Sequence, residues 1–216
     1  MADFNAVLFD LDGTITDPAL GITNSVMYAL KKHGYAVPER KELYFFIGPP
    51  LADSFMKYCS ISRDKANEMV ATYREYFADK GLFENELIPH TKELLGALRE
   101  NNITVGLATS KPLVFAEKIL EYFDIESFFD IKVGSNLDGS LTNKAEVIAE
   151  ALRRIPGFDK AKTAMVGDRC YDIEGAIANG IVSIGVLCGY GDEKELKAAG
   201  AEYIAKDLIE LKRLIV

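Results

Sequence analysis

The chain has 216 residues, 49% of them hydrophobic and 27% charged, with a formal net charge of −8. That length suits one large domain or a domain with a smaller insert, and the apolar content supports a sizeable core rather than disorder. An acidic balance with no basic run argues against nucleic-acid binding, and no apolar run approaches the roughly 18 residues of a membrane span.

In chain order, Met1 leads through a charged Asp3 into a short strand, which does not read as a signal peptide. The apolar run Val7-Leu8-Phe9 then ends in Asp10-Leu11-Asp12-Gly13-Thr14. Strand alternation sends residues i and i+2 to one side, so Asp10 and Asp12 can share a pocket, and Gly13 supplies the turn. Asp17-Pro18 reads as a helix start, with Asp17 as N-cap, Ile22, Val26 and Leu30 as the apolar stripe, and Gly34 as the stop. Further helices are predicted from Pro38 to Phe46, from Leu51 to Tyr58, and from a Ser62 cap to Gly81. Ile47-Gly48-Pro49-Pro50-Leu51 separates the first two of these.

Beyond Gly81 the pattern changes. Apolar, β-branched runs at Ile103–Thr109, Phe129–Val133, Thr163–Val166 and Val182–Leu187, with a weak one near Tyr203, alternate with helical patterns. The helical patterns cover Lys92–Glu100, Pro112–Phe123, Lys144–Ile155, Asp172–Asn179 and Asp192–Ala199. Such alternation predicts an α/β, Rossmann-like parallel sheet with helices on both faces. The first strand belongs to that sheet, so the helical stretch reads as an inserted all-helical cap. The expected division is a catalytic core of residues 1–16 and 86–216 and a cap of residues 17–85. The polar residues of interest all fall at carboxyl ends of strands or starts of helices, where open α/β sheets bind ligands. Cys59, Cys170 and Cys188 form neither a disulfide framework nor a zinc site, which points to a reducing, cytoplasmic setting.

Four segments taken together carry a family resemblance: Asp10-Leu11-Asp12-Gly13-Thr14, Leu107-Ala108-Thr109-Ser110-Lys111, Lys144, and Gly167-Asp168-Arg169-Cys170-Tyr171-Asp172. In order and approximate spacing they resemble the haloacid dehalogenase superfamily, in the form of its phosphatases. The chain is most similar there to the phosphoglycolate phosphatase-like group with a helical cap. The resemblance implies Asp10 as nucleophile, Asp12 as acid and base, and Lys144 as the cation that neutralises both nucleophile and phosphoryl group. By sequence alone Lys144 would be one more solvated lysine. Thr109, by its hydroxyl, and Ser110, by its backbone amide, match the phosphate-holding motif. The structural alternative for both is a helix N-cap before Lys111-Pro112, and Ser110 can serve both purposes. Asp168 matches the metal-binding carboxylate and Asp172 its supporting partner, and the implied Mg²⁺ set is Asp10, the Asp12 backbone carbonyl and Asp168.

The function so implied is a Mg²⁺-dependent phosphomonoesterase acting on a small-molecule phosphate ester through a phosphoaspartate, with no nucleic-acid or membrane partner. A nucleoside 5′-monophosphatase and a non-catalytic phosphate-binding regulatory protein are the alternatives, and a mutase is a weaker one. Asp12 argues against dehalogenase and phosphonatase chemistry, since those family members differ at this position. His33 and His90 read as structural residues at helix ends. Arg40, Arg63 and Arg74 either reach a substrate carboxylate from the cap or are surface arginines. Arg169 adjoins the chemistry with no direction implied, the Ile47–Leu51 loop either sets specificity or is a rigid turn, and the Gly185–Gly191 loop has no assigned role.

Overall fold

The computed structural model describes residues 4–216; the N-terminal reading at Met1–Asp3 lies outside them. Strand β1 (Ala6–Phe9) is central because every side chain in it is apolar and fully enclosed. Ala6 and Leu8 face one side of the sheet and join a cluster with Val147, Ile148 and Ala151 of α6 (Lys144–Arg153) and Ala176 of α7 (Cys170–Asn179). By alternation Val7 and Phe9 face the other side, and both are buried as well. Each such side chain contributes about 1.5–3 kcal/mol by leaving water. Helices therefore cover both faces, as the alternation of strands and helices implied.

The sheet has six parallel strands. Beside β1 lie β4 (Thr104–Pro112) on one side and β6 (Thr163–Gly167) on the other. Beyond them come β5 (Ile131–Ser135) on the first side, then β7 (Val182–Val186) and β8 (Tyr203–Ala205) on the second, giving the order β5-β4-β1-β6-β7-β8. The chain thus winds outward in both directions from β1, and the crevice at its carboxyl end is the expected ligand site. Helices α4 (Thr91–Glu100), α5 (Leu113–Tyr122), α8 (Glu193–Ala198) and α9 (Leu208–Ile215) complete this unit. Two very short strands, β2 (Thr16–Asp17) and β3 (Glu86–Leu87), pair with each other. Among the described residues no helix is long and apolar enough to cross a membrane.

The chain divides into two compact units, Met1–Asp17 with Leu87–Val216, and Pro18–Glu86. These limits fall one residue later than those read from the sequence. The second unit holds α1 (Ala19–Lys32), α2 (Leu51–Cys59) and α3 (Arg63–Tyr76), with a 3₁₀ segment at Arg40–Phe46 and a π turn at Phe77–Gly81. Its interior is aromatic, with Phe46 and Phe55 edge to face at 4.9 Å. His33 closes α1 and meets Thr72 Oγ1 of α3 at 2.9 Å, a structural contact.

Several element-level expectations need correction. Asp17 does not cap α1: it ends β2, its carboxylate accepts the Tyr190 hydroxyl, and Pro18 occupies the cap position without a side-chain bond. Ser110 caps no helix, because β4 runs on to Pro112 and α5 starts only at Leu113. Helix α9 was not anticipated, although Leu208, Leu211 and Ile215 form its buried stripe. The Ser62 cap is present as read, and Asn143 caps α6.

Candidate active site

Asp10 directly follows β1, on the side where α6 packs. Lys144 opens α6, held there by Asn143, whose Oδ1 accepts the amides of Ala145 at 2.9 Å and Glu146 at 3.4 Å. Lys144 Nζ lies 2.6 Å from Asp10 Oδ1, 2.9 Å from Asp172 Oδ1 and 3.1 Å from the Ala108 carbonyl oxygen. Burial alone would discharge a lysine, but Asp10 and Asp172 outweigh it and hold Lys144 above its ordinary pKa, as an ammonium ion. The solvated lysine of the sequence is therefore a buried one, 8% exposed.

Asp168 directly follows β6 and is wholly buried. Its Oδ1 accepts the Thr14 hydroxyl at 3.2 Å and its Oδ2 the Tyr190 amide at 2.7 Å. Asp172, in the first turn of α7, accepts the Arg169 amide on Oδ2 at 3.1 Å. Its Oδ1 is within ion-pair distance of Lys144, yet among the described residues no donor is aligned on it for a hydrogen bond. Asp10, Asp168 and Asp172 each place one carboxylate oxygen within 4.8 Å of the others. Burial, reinforced by Asp172, pushes the Asp168 carboxyl up to about 8, and burial raises Asp172 against the pull of Lys144. Three crowded, buried hard-oxygen donors fit a divalent cation.

The backbone is shaped around Asp168. Gly13 has φ +89°, and a Cβ there would lie 2.3 Å from Asp168 Oδ2. At Gly189 a Cβ would lie 2.2 Å from the same oxygen and 2.3 Å from the Gly13 carbonyl. Two loops can close on the carboxylate only because neither carries a side chain at these points. This gives the Gly185–Gly191 loop its place: it folds back onto Asp168 and presents the Tyr190 amide.

Asp12 takes a different partner. Lys111 Nζ contacts both of its oxygens, at 2.8 Å and 2.7 Å, and both side chains are nearly enclosed. Burial raises Asp12 above the usual carboxylate range, with Lys111 opposing. Thr109 is buried and its hydroxyl oxygen accepts the Lys111 amide at 3.2 Å, with half-buried Ser110 between them. Thus Asp10, Lys144, Asp168 and Asp172 meet in one cluster, while Asp12, Thr109 and Ser110 are gathered around Lys111. Sequence reasoning missed Lys111, Thr14, Tyr190 and Gly189. Lys111 stood inside a quoted motif, but nothing in sequence separates a buried lysine from a solvated one. Arg169 is committed to Glu195 at 2.9 Å. In the helical unit Arg63 pairs with Asp53 at 2.6 Å, and Arg40 donates to Asn24 Oδ1 at 2.9 Å and to Thr23.

A strand end carrying Asp10, a lysine at a helix start and an aspartate pair after β6 define a class, and comparison with known proteins agrees. The profile of the haloacid dehalogenase-like hydrolases matches residues 7–186. The chain belongs to that family, and it is a phosphatase. A 5′-nucleotidase of Pseudomonas aeruginosa is 42% identical over 209 residues, 97% of this chain and 94% of that protein. A phosphoglycolate phosphatase of Shigella dysenteriae is 29% identical, covering 97% of this chain and 91% of its own. The crystal structure of a predicted phosphatase from Clostridium acetobutylicum superposes with a TM-score of 0.95 at 44% identity, over 98% of both chains.

Proposed function

We propose that the protein is a Mg²⁺-dependent phosphomonoesterase that hydrolyses a small phosphorylated metabolite through a phosphoaspartate at Asp10. The observation that carries this reading is the buried Asp10 carboxylate, 2.6 Å from Lys144 and clustered with Asp168 and Asp172. Asp10 and Asp168, with the Asp12 backbone carbonyl and with Asp172 behind them, would hold Mg²⁺, which supplies positive charge for the phosphoryl oxygens.

Asp10 attacks phosphorus, the ester P–O bond breaks, and Asp12 gives its proton to the leaving oxygen. Asp12 then takes a proton from water whose oxygen attacks the same phosphorus, and the bonding pair of the acyl phosphate returns to Asp10. Thr109 and Ser110 supply a hydroxyl and an amide for the phosphoryl group, and Lys144 keeps Asp10 and the incoming anion from repelling each other.

In this reading the helical unit selects the ester. Phosphoglycolate-like metabolites are the substrate class that the motif pattern suggests. Nucleoside 5′-monophosphates are the second reading, favoured by the higher identity to the Pseudomonas relative. A phosphate-release screen in Mg²⁺ across phosphoglycolate, nucleoside 5′-monophosphates and sugar phosphates tests both. Release from at least one ester, abolished in Asp10→Asn and by chelator, is expected. Release that persists in Asp10→Asn would refute the phosphoaspartate, and no release from any ester would revive the phosphate-binding alternative.

A further inference from the structure

Lys111 is reached through an irregularity in the sheet. In the pairing of β4 with β5, Thr109 faces Gly134, but the next pair is Pro112 with Ser135. Ser110 and Lys111 are therefore extra residues on β4, a bulge at the end of the strand, and bulges re-aim side chains at such places. The opposite strand is cut to receive it. A Cβ at Gly134 would stand 2.7 Å from the Lys111 carbonyl oxygen and 2.9 Å from Leu113 Cα. The amide of Lys111 is tied to the Thr109 hydroxyl, so the bulge has a fixed shape.

The side chain it aims is 6% exposed and ends on both oxygens of Asp12, itself 11% exposed. Holding two charges out of water is costly unless they are paired this closely. The result is that each of the two aspartates of the first motif has its own buried lysine, Lys144 for Asp10 and Lys111 for Asp12. Lys144 and Lys111 also come from different elements, one from a helix start and one from a strand bulge.

We propose that Lys111 is a positioning residue: its ammonium fixes the direction of the Asp12 carboxylate, and the β4 bulge seated against Gly134 fixes Lys111. This rests on the phosphomonoesterase reading and deepens it. Asp12 must reach the leaving oxygen in one step and a water in the next. A carboxylate on a two-residue link after β1 can rotate, and a contact to both oxygens removes that freedom, which is what a catalytic acid–base group requires. The effect expected of a residue that acts through Asp12 belongs in kcat.

The test is a double-mutant cycle, read as phosphate release in Mg²⁺ from 4-nitrophenyl phosphate and from the best ester of the screen. Lys111→Met, which keeps the stem and removes the charge, is expected to lower kcat by about tenfold to a hundredfold with KM nearly unchanged. In an Asp12→Asn background the same substitution is expected to change the residual kcat by less than about twofold, because Lys111 acts through Asp12. A lysine that merely supports the fold would lower kcat by the same factor in both backgrounds, and that result overturns the proposal. A rise in KM with kcat unchanged overturns it too, making Lys111 a binding residue for the ester. Lys111→Gln carries the same cycle if thermal melting shows that Lys111→Met is not folded. A wild-type protein that releases no phosphate removes the parent reading and this proposal together, whereas an active wild type with Lys111→Met unimpaired removes the proposal alone.

Discussion

Burial, with Asp172 adding to it, moves the Asp168 carboxyl from an ordinary 3.8 to about 8. In the unfolded chain the group ionises near the lower value, so between the two the folded state holds a proton that the unfolded state has lost. Stability therefore falls as pH rises through that window. In chelator, the melting temperature should drop from pH 5 to pH 8, and Mg²⁺ should recover more of it at the upper end. Asp168→Asn should flatten the slope; calorimetry showing the wild-type slope in that variant would contradict the assignment. The same residue orders the metal variants. Asp172→Asn should weaken Mg²⁺ binding by about ten- to a hundredfold, as loss of a group behind a ligand does. Asp168→Asn should weaken it further, since in our proposal Asp168 is a ligand itself; titration calorimetry compares the two, and the reverse order would exchange their roles.

Elements position these groups, and they divide into those a sequence discloses and those it does not. The β1, β4, β6 and β7 cores were legible because runs such as Val7-Leu8-Phe9 and Ala164-Met165-Val166 are buried on both faces, and parallel sheets leave no polar alternation to confuse. Asp10, Asp12, Thr109, Ser110, Lys144, Asp168 and Asp172 were legible as a set only through their family pattern. Physical chemistry alone gave carboxylates at strand ends and one capped helix start. Lys111 was not legible, because its burial depends on a bulge that exists only when β5 offers Gly134. The glycine loop was equally opaque: three glycines announce freedom, but their purpose is the Asp168 carboxylate, distant in sequence. That loop gives a prediction at this scale. Gly189→Ala places a methyl group 2.2 Å from Asp168 Oδ2, so the loop must shift. The expected cost is roughly 1–3 kcal/mol of stability, together with weaker Mg²⁺ binding as the Tyr190 amide withdraws. Chemical denaturation and metal titration read the two effects, and an unchanged Mg²⁺ affinity would detach the loop from the metal site.

The whole molecule sets a problem, since a protein of net charge −8 is to accept an anionic ester. Locally the balance is different: the four aspartates of the site face two buried lysines, and in our proposal one divalent cation would offset the carboxylates that remain when all four are ionised. Activity should accordingly depend on Mg²⁺ far more than on moderate changes in salt. The division into two units assigns chemistry to the sheet unit and, in our proposal, selection to Pro18–Glu86. Exchanging that segment for the matching one of the Pseudomonas 5′-nucleotidase should reorder the ester preference while leaving the Mg²⁺ requirement intact. A chimera with the original ranking would place selection in the sheet unit instead. The central claim is the covalent step, and Asp12→Asn exposes it. Without a base, hydrolysis of the acyl phosphate stalls, while an activated ester still phosphorylates Asp10 because its leaving group needs little proton donation. Mass spectrometry of Asp12→Asn after mixing with 4-nitrophenyl phosphate and Mg²⁺ should find phosphate on Asp10, with a burst of nitrophenol and less of both with an alkyl ester. Normal turnover in this variant, or impaired turnover with equal loss for both esters and no phosphate on Asp10, would contradict the account.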